Sequence, residues 1–566
     1  MTGLAHPRYG SLLLMGLAVA LLCGCRSTTA LPIAGLSPSA TAPPVLRDVA
    51  GEVGLHFRWG HGGRSPLTIL ETAGGGAGFL DYDGDGRLDI LLVGDRVALY
   101  HNEGNGHFRD VSARSGLTAQ GPLMGCAVGD FDNDGRPDIF LTGYGIARLY
   151  RNRTGQPSAS GMLFEDVTAR AGVGARGPLD WATSAGFADL DGDGFLDLVV
   201  CHYVQFRPQS RPYCDYPVAP GGGKVLAACP PFYYPPQRMT VYRNRGNGTF
   251  EDVTARFPRG HGNSLGLAFA DYDDDGRMDF YVANDGLPGD LYHNQGGWRF
   301  ENVGTASTTA YNENGKEQAG MGVDWADYDG DGRLDLIVAT FQNEPRSLYH
   351  NEGHGLFSYA SYTAGVGDAT RARLAFGVGF LDYDNDGFPD LLLANGHVQD
   401  TIEKIHPPAT YAQPMQLFHN RGDGTFAEAA REGGPAFARP IVGRALALGD
   451  LDNDGKVDAL VVDLEGAPLL LHNESRDGNH WLGLRLVDRH GRRDAIGAKV
   501  TLETAAGKRL AESQTCRSYL AACDPRVHFG LGAERSVLRL IVRWPDGKTT
   551  VVQNPPVDRY LSVEER

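Results

Sequence analysis

One acidic phrase, Asp-x-Asp-x-Asp-Gly-x-x-Asp, occurs seven times in this 566-residue chain. The copies begin at Asp81, Asp130, Asp189, Asp271, Asp327, Asp382 and Asp450, at spacings of 49, 59, 82, 56, 55 and 68 residues. Recurrence at this period marks an array of like units, each too small to bury its apolar face alone and therefore stacked on its neighbours.

The sequence around each copy says what the unit is. A short apolar, Gly-rich stretch precedes the phrase (Gly76 to Leu80 in the first copy), and a β-rich run such as Ile90 to Val93 follows it. A second phrase, Leu-Tyr-His-Asn-x-Gly-x-Gly-x-Phe, comes next and is clearest at Leu99 to Phe108 and Leu348 to Phe357. Its Asn recurs at Asn102, Asn152, Asn244, Asn294, Asn351, Asn420 and Asn473. Asn and Gly tolerate positive φ, so this phrase reads as a hairpin turn. Several short antiparallel strands joined by tight turns are the content of a propeller blade. A third phrase, Phe-x-Asp-Val, follows most hairpins but is missing after Asn473, while a copy (Leu46-Arg47-Asp48-Val49) stands at the start of the repeat region. A closed ring explains that displacement: the first strand completes the last blade and no sheet edge stays open. The expected fold is all-β, a seven-bladed β-propeller over residues 45–478 followed by a small β domain over 479–566.

Carboxylates at alternate positions of a tight loop can converge on one point, and Gly at the sixth position allows the sharp turn. Hard oxygen ligands suit calcium, which takes six to eight of them. Side-chain ligands are expected from Asp81, Asp83, Asp85 and Asp89 in the first loop, and from Asp130, Asp132, Asp134 and Asp138 in the second. The third and fourth offer Asp189, Asp191, Asp193, Asp197 and Asp271, Asp273, Asp275, Asp279. The remaining three offer Asp327, Asp329, Asp331, Asp335; Asp382, Asp384, Asp386, Asp390; and Asp450, Asp452, Asp454, Asp458. The seventh position would give a backbone carbonyl, from Arg87, Arg136, Phe195, Arg277, Arg333, Phe388 and Lys456. An EF-hand starts alike but needs Glu at position twelve. That position holds Leu92, Leu141, Val200, Val282, Val338, Leu393 and Val461, which excludes an EF-hand in every copy. Bare acidic turns held by Asx hydrogen bonds are the bland alternative. The formal net charge of −17 argues against nucleic-acid binding, although seven divalent ions would offset about fourteen charges.

The N-terminus reads as an export signal: an apolar run from Leu12 to Leu22, too short to span a bilayer, ends in Leu22-Cys23-Gly24-Cys25. That end resembles the lipobox of bacterial lipoproteins, which implies cleavage after residue 24, lipidation of Cys25 and anchoring to a bacterial envelope membrane outside the cytoplasm, at the outer membrane or cell surface; plain secretion is the alternative. Residues 25–44, rich in Ser, Thr, Ala and Pro, read as a tether. An exported chain permits disulfides. The expected pairs are Cys214 with Cys229 and Cys516 with Cys523, leaving Cys126 with Cys201.

The repeats resemble FG-GAP/VCBS repeats, the type found in integrin α-subunit propellers. The last part resembles the ASPIC/UnbV domain through Ala495-Ile496-Gly497-Ala498, Val527-His528-Phe529-Gly530-Leu531-Gly532 and Arg543-Trp544-Pro545-Asp546-Gly547. Together they resemble the cartilage acidic protein/UnbV family, here as a bacterial lipoprotein. The resemblance implies calcium-loaded extracellular propellers that bind partners and implies no established reaction.

No Gly-x-Ser-x-Gly elbow and no zinc-spaced His pair stands out. His101, His293 and His350 recur at one hairpin position and read as structural, and His397 reads as an ordinary loop histidine at the start of an insertion. The insertion from His202 to Arg238 is the best candidate for a partner surface. Residues 316–322 line the fifth blade. The expected function is a calcium-binding, lipid-anchored module for binding or adhesion, with an unknown protein or glycan partner. The alternative is an enzyme acting on a carbohydrate or secondary metabolite from the central channel.

Overall fold

The computed structural model describes residues 45–60, 64–156, 161–210, 212–218, 222–476, 478–489 and 493–566. Cys25, the export signal and the tether lie outside these residues. None of the described helices is long and apolar enough to cross a membrane.

Each acidic loop joins the first and second strands of a sheet. In the first sheet the strands are Gly76–Leu80, Asp89–Val93, Val97–Asn102 and Phe108–Asp110, in antiparallel order. Six more sheets follow the same plan, with first strands Leu123–Gly129, Ala182–Ala188, Ser264–Ala270, Val323–Ala326, Ala375–Leu381 and Gly443–Gly449. Each first strand packs on the first strand of the next sheet, and the seventh packs on the first, so the sheets form a closed ring. The seventh sheet takes its outer strand from the other end of the chain: Leu46–Asp48 pairs antiparallel with Leu469–Asn473, Leu46 opposite Asn473. The displaced phrase closes the ring as its position in the sequence predicts.

The first strands are buried on both faces, and the second strands likewise, which is why they read as continuous apolar runs. Since the four strands of each ring sheet pair antiparallel in order, all seven acidic loops lie at one end of the ring and the links from second to third strand at the other. The insertions of the third and sixth sheets are such links. They meet across that far end: the hairpin Tyr213–Pro217/Lys224–Ala228 of the third shares an apolar cluster with Ile402, Ile405 and Ala409 of the sixth.

Two further sheets make the C-terminal module. His480–Val487 lies between Val527–Gly532 and the parallel strand Tyr560–Glu564. Lys499–Glu503 lies between Lys508–Glu512 and Arg539–Arg543, with Thr549–Gln553 outside. Leu482, Val500, Phe529, Leu540 and Trp544 fill the core between them.

Between these strands the segment Thr515–Asp524 leaves the module and fills the centre of the ring. It bonds to the first strand of every sheet. Ala521–Ala522 pairs with Ala77 and Gly78, Thr515 Oγ1 donates to the Val128 carbonyl (2.9 Å), and Cys516 Sγ reaches the carbonyls of Ala185 (3.3 Å) and Leu267 (3.2 Å). Ser518 N–H donates to Val323 O (2.7 Å) and its Oγ accepts from Val378 N–H (3.1 Å), while Asp524 N–H donates to Leu448 O (3.0 Å). At the tip, Tyr519 OH donates to Ala73 O near the far end (2.7 Å).

The structure corrects two of the three cysteine pairings. Cys214 and Cys229 form a disulfide, which ties the ends of the third-sheet hairpin. Cys126, Cys201, Cys516 and Cys523 are free and buried. Cys516 bridges Ala522, and Cys523 N–H bonds Thr515 O, so the two cysteines sit on adjacent rungs with side chains on opposite faces of the central segment. One faces the third and fourth sheets and the other receives Leu448 N–H. Cys126 Sγ points to Ala77 O at the boundary of the first and second sheets, and Cys201 Sγ to Gly266 O at the boundary of the third and fourth. Close spacing in sequence misled because the segment is a narrow hairpin whose neighbouring side chains diverge.

Candidate metal centres and the module above them

The loop at Asp81 shows how the phrase folds. Asp81 Oδ1 accepts the N–H groups of Gly84 (2.8 Å) and Asp85 (3.0 Å), and Oδ2 accepts Gly86 N–H (2.9 Å). Asp85 Oδ1 accepts Arg87 N–H (3.0 Å). Gly86 sits at φ 86°, in the left-handed region that the sixth position demands. Oxygens of Asp81, Asp83 and Asp89 come within 4.8 Å of one another, a spacing that one cation can bridge. The ninth-position Asp also fastens the sheet: Asp89 Oδ2 accepts Tyr82 N–H (3.1 Å) and Oδ1 accepts Asn102 N–H (2.8 Å). A carboxylate has about four acceptor sites, so these bonds leave capacity for an ion.

The recurrent Asn does more than turn a hairpin. Each one donates an amide hydrogen across the sheet boundary to the second residue of the preceding loop. Asn152 reaches Tyr82 O (2.8 Å), Asn244 Phe131 O (2.7 Å), Asn294 Leu190 O (2.9 Å) and Asn351 Tyr272 O (2.9 Å). Asn420 reaches Tyr328 O (2.7 Å), Asn473 Tyr383 O (2.8 Å), and Asn102 closes the cycle on Leu451 O (3.0 Å).

A basic side chain precedes every one of these Asn residues and faces the acidic loop. His101 Nδ1 lies 3.5 Å from Asp83 and 3.1 Å from Asp89. His293, His350, His419 and His472 repeat the arrangement, and Arg151 and Arg243 take it in the second and third loops. The carboxylates of Asp335 (3.1 Å), Asp390 (3.3 Å) and Asp458 (3.0 Å) beside their Nδ1 atoms raise His350, His419 and His472 to about 9. The sequence reading singled out three of these histidines as structural. Arg151, Arg243, His419 and His472 were legible by the same register but were hidden by the exchange of His for Arg and of Tyr for Phe or Leu. In the other direction, Arg87, Arg136, Arg277 and Arg333 at position seven fold back to the carboxylate at position five.

These cations do not satisfy the loops. Asp132 Oδ1, Asp273 Oδ1, Asp279 Oδ2, Asp327 Oδ1 and Asp382 Oδ1 are buried with no hydrogen-bond partner. Burial, with help from neighbouring carboxylates, pushes Asp189 up to about 6 and Asp130, Asp327 and Asp450 up to about 7. Crowded, desolvated carboxylates with open oxygens are a donor set that fits a hard divalent cation. The residues at loop positions one, three, five and nine fit the group, and the seventh-position carbonyls would complete it.

The C-terminal module stands on the loop end of the ring. Arg493 Nη2 donates to Gly194 O (2.7 Å) in the third loop, and Lys499 Nζ to Asp271 O (2.9 Å) in the fourth. Asn479 Nδ2 donates to Asp384 O (2.8 Å) in the sixth, and Tyr560 OH to Asp450 Oδ2 (2.8 Å) in the seventh. Arg543 also bonds Asp271. The first and second loops instead face a cavity of about 700 Å³ under the module, lined by Asp81, Asp130, Trp481, Arg493 and Tyr560 among others. A smaller cavity of about 290 Å³ lies over the fifth and sixth loops.

His397 is buried against Phe341, its Nδ1 accepts Gln399 N–H (3.0 Å), and burial beside Arg444 lowers it to about 3, so it is a neutral packing residue. Residues 316–322 run along the fifth sheet, with Gly322 N–H bonded to Phe376 O (3.0 Å) of the sixth. In the insertion at 202–238, Phe232 is 75% exposed and packs against Tyr233.

The chain matches the FG-GAP-like repeat over residues 81–141, 130–200, 225–282, 271–338, 327–393 and 409–461, more than half its length, and the ASPIC and UnbV domain over 488–566. It is similar to Cartilage acidic protein 1 of Mus musculus, with 27% identity over 320 residues, 54% of this chain and 45% of that protein. The protein of the same name from Homo sapiens is 26% identical over 320 residues, 54% and 44%. The matched region thus spans less than half the length of these relatives. Among solved structures it is similar to the BP39L lectin from Burkholderia pseudomallei, with a TM-score of 0.41 and 11% identity over 70% of this chain and 94% of that one. It is also similar to YCF48 bound to D1 peptide, with a TM-score of 0.39 and 10% identity over 77% and 99%. Likenesses this distant carry nothing about function. Seven sheets built on one acidic phrase, a module carrying the Arg543-Trp544-Pro545-Asp546-Gly547 motif and the two matches agree: the chain belongs to the FG-GAP repeat family and carries an ASPIC and UnbV domain at its C-terminal end.

Proposed function

We propose that this protein is a calcium-rigidified binding module, held on the outside of a bacterial envelope by a lipid on Cys25. The observation that carries the calcium reading is the set of buried, unpartnered carboxylate oxygens in the second, fourth, fifth and sixth loops. Ions there would neutralise crowded carboxylates and fix each loop to its sheet. Because the folded loops bind and the unfolded chain does not, each occupied site adds stability that depends on ion concentration. Extracellular calcium sites bind with dissociation constants on the order of 10⁻⁴ to 10⁻³ M. The test is thermal melting with calcium and with chelator, alongside elemental analysis of the dialysed protein. A lower melting temperature in chelator, restored by calcium ahead of magnesium, is expected. An unchanged melting temperature would sink the reading. The anchor is tested separately, by the loss of membrane association in Cys25→Ser.

The alternative of an enzyme working in the central channel fits less well, because Thr515–Asp524 runs through the middle of the ring and bonds to the first strand of every sheet. A binding role fits the molecule better: a rigid ring whose loop end carries a second module with a cleft beneath it.

A further inference from the structure

A cleft of about 700 Å³ lies on the loop end beside the C-terminal module. Its floor is the first and second acidic loops, with Asp81 and Asp130 facing it, and its wall is the module. Arg493 is the telling residue. Its side chain is only 10% exposed. Its Nε bonds Asp488 (3.3 Å) and its Nη2 donates to Gly194 O (2.7 Å), but its Nη1, also buried, has no partner. A buried guanidinium N–H without an acceptor is costly, and this residue lines the cleft. Arg559, exposed on the same wall, spends only its Nε, on the Val557 carbonyl (3.4 Å).

Acceptors stand beside these donors. Asp494 holds Arg485 Nε (3.1 Å), and Asp558 holds the Trp481 N–H (3.2 Å), both on the cleft wall. A wall that alternates guanidinium and carboxylate asks its ligand to donate and accept at neighbouring atoms. Vicinal hydroxyls do this, while an acidic peptide side chain only accepts. The unpartnered Arg493 Nη1 adds the need for an anionic acceptor, which a planar carboxylate meets best.

We propose that this cleft binds an oligosaccharide bearing carboxylates, a uronate segment, with its hydroxyls on the mixed wall and a carboxylate on Arg493. The proposal rests on the binding-module reading and deepens it. Calcium in the first two loops would add positive charge to the floor and favour the same ligand.

The test is titration calorimetry on the full chain in millimolar calcium, with oligogalacturonate, a malto-oligosaccharide of equal length and an oligoglutamate as probes. Oligogalacturonate alone should bind, and Arg493→Lys and Arg559→Ala should each weaken it about tenfold, the loss of one charge-assisted hydrogen bond. Melting temperatures of the variants in calcium separate a lost contact from a lost fold, and Arg559→Ala, at the surface, serves should Arg493→Lys unfold. No binding of oligogalacturonate, equal binding of oligoglutamate or the malto-oligosaccharide, or full affinity in both variants each overturns the proposal. Uronate binding that survives in a protein whose melting ignores chelator would uphold the cleft while sinking the calcium reading, so the two fail separately.

Discussion

At the scale of the residue, the repeat is held by a bond that crosses sheet boundaries. Asn351 is 1% exposed and uses nearly all its capacity: its amide donates to Tyr272 O (2.9 Å) and Leu334 O (3.0 Å), its Oδ1 accepts Gly353 N–H (2.9 Å), and its backbone N–H is held by Asp335 (2.8 Å). Removing the amide leaves two buried carbonyls and one N–H without partners, at about 1–3 kcal/mol for each group that water cannot reach. Asn351→Ala is therefore expected to lose about 2–4 kcal/mol, read as a lower urea midpoint at unchanged slope. Asn314→Ala, exposed in a neighbouring turn, should stay within about 0.5 kcal/mol of the parent. Equal loss at both positions would show that Asn351 acts through turn propensity and not through its bond to the fourth loop. The sequence shows the Asn seven times but not its partner, because that carbonyl lies 79 residues away. Periodicity reveals that a residue is needed, whereas the bond it makes depends on how adjacent sheets are set.

At the scale of the element, the central segment explains features that local patterning leaves open. The first strands are Gly-rich where the segment presses on them. A Cβ at Gly125 would lie 2.9 Å from Leu520 Cα, and one at Gly186 would lie 2.6 Å from Cys516 Sγ. Those glycines are visible in sequence, but their reason is a segment from the far end of the chain. The same contact explains the failed cysteine pairs, since Cys516 and Cys523 are spent as small packing groups against opposite sides of the ring. The segment is pinned by an ion pair: Arg517 Nε and Nη2, on a side chain 26% exposed, each lie 2.7 Å from the Asp324 carboxylate, whose side chain is 1% exposed. Removing one partner of such a pair leaves a buried charge and is expected to lose about 3–5 kcal/mol. Arg517→Ala should thus melt far below the parent, and adding Asp324→Asn should recover part of the loss. A double-mutant cycle with no coupling between the two positions would mean that the pair does not hold the segment in the ring.

At the scale of the whole molecule, repeat region and terminal module are one folding problem although the sequence reads as two domains. The repeats predict the ring, its closure by residues 46–48 and the loop end with its candidate ions, because all follow from a pattern repeated within each unit. They do not predict that a segment from the far end of the chain threads the ring, because Thr515–Asp524 belongs to neither the repeat nor the motif segments that mark the module. The coupling runs both ways. The ring receives from the module its central filling, Tyr560 on the seventh loop and Lys499 with Arg543 on the fourth. The module receives a surface for Trp481, whose ring lies against Gly455 where a Cβ would come within 1.8 Å. A chain ending at residue 478 would face water with the inner edges of seven sheets and with Asp324 unpaired. Such a chain is expected to lack a cooperative transition at the parent melting temperature even in saturating calcium, since ions act on the loops and cannot fill the centre. Adding residues 479–566 in trans should restore the transition. A truncated ring that melts with the parent would reduce the central segment to a passenger and return the channel to the list of places where this protein could bind.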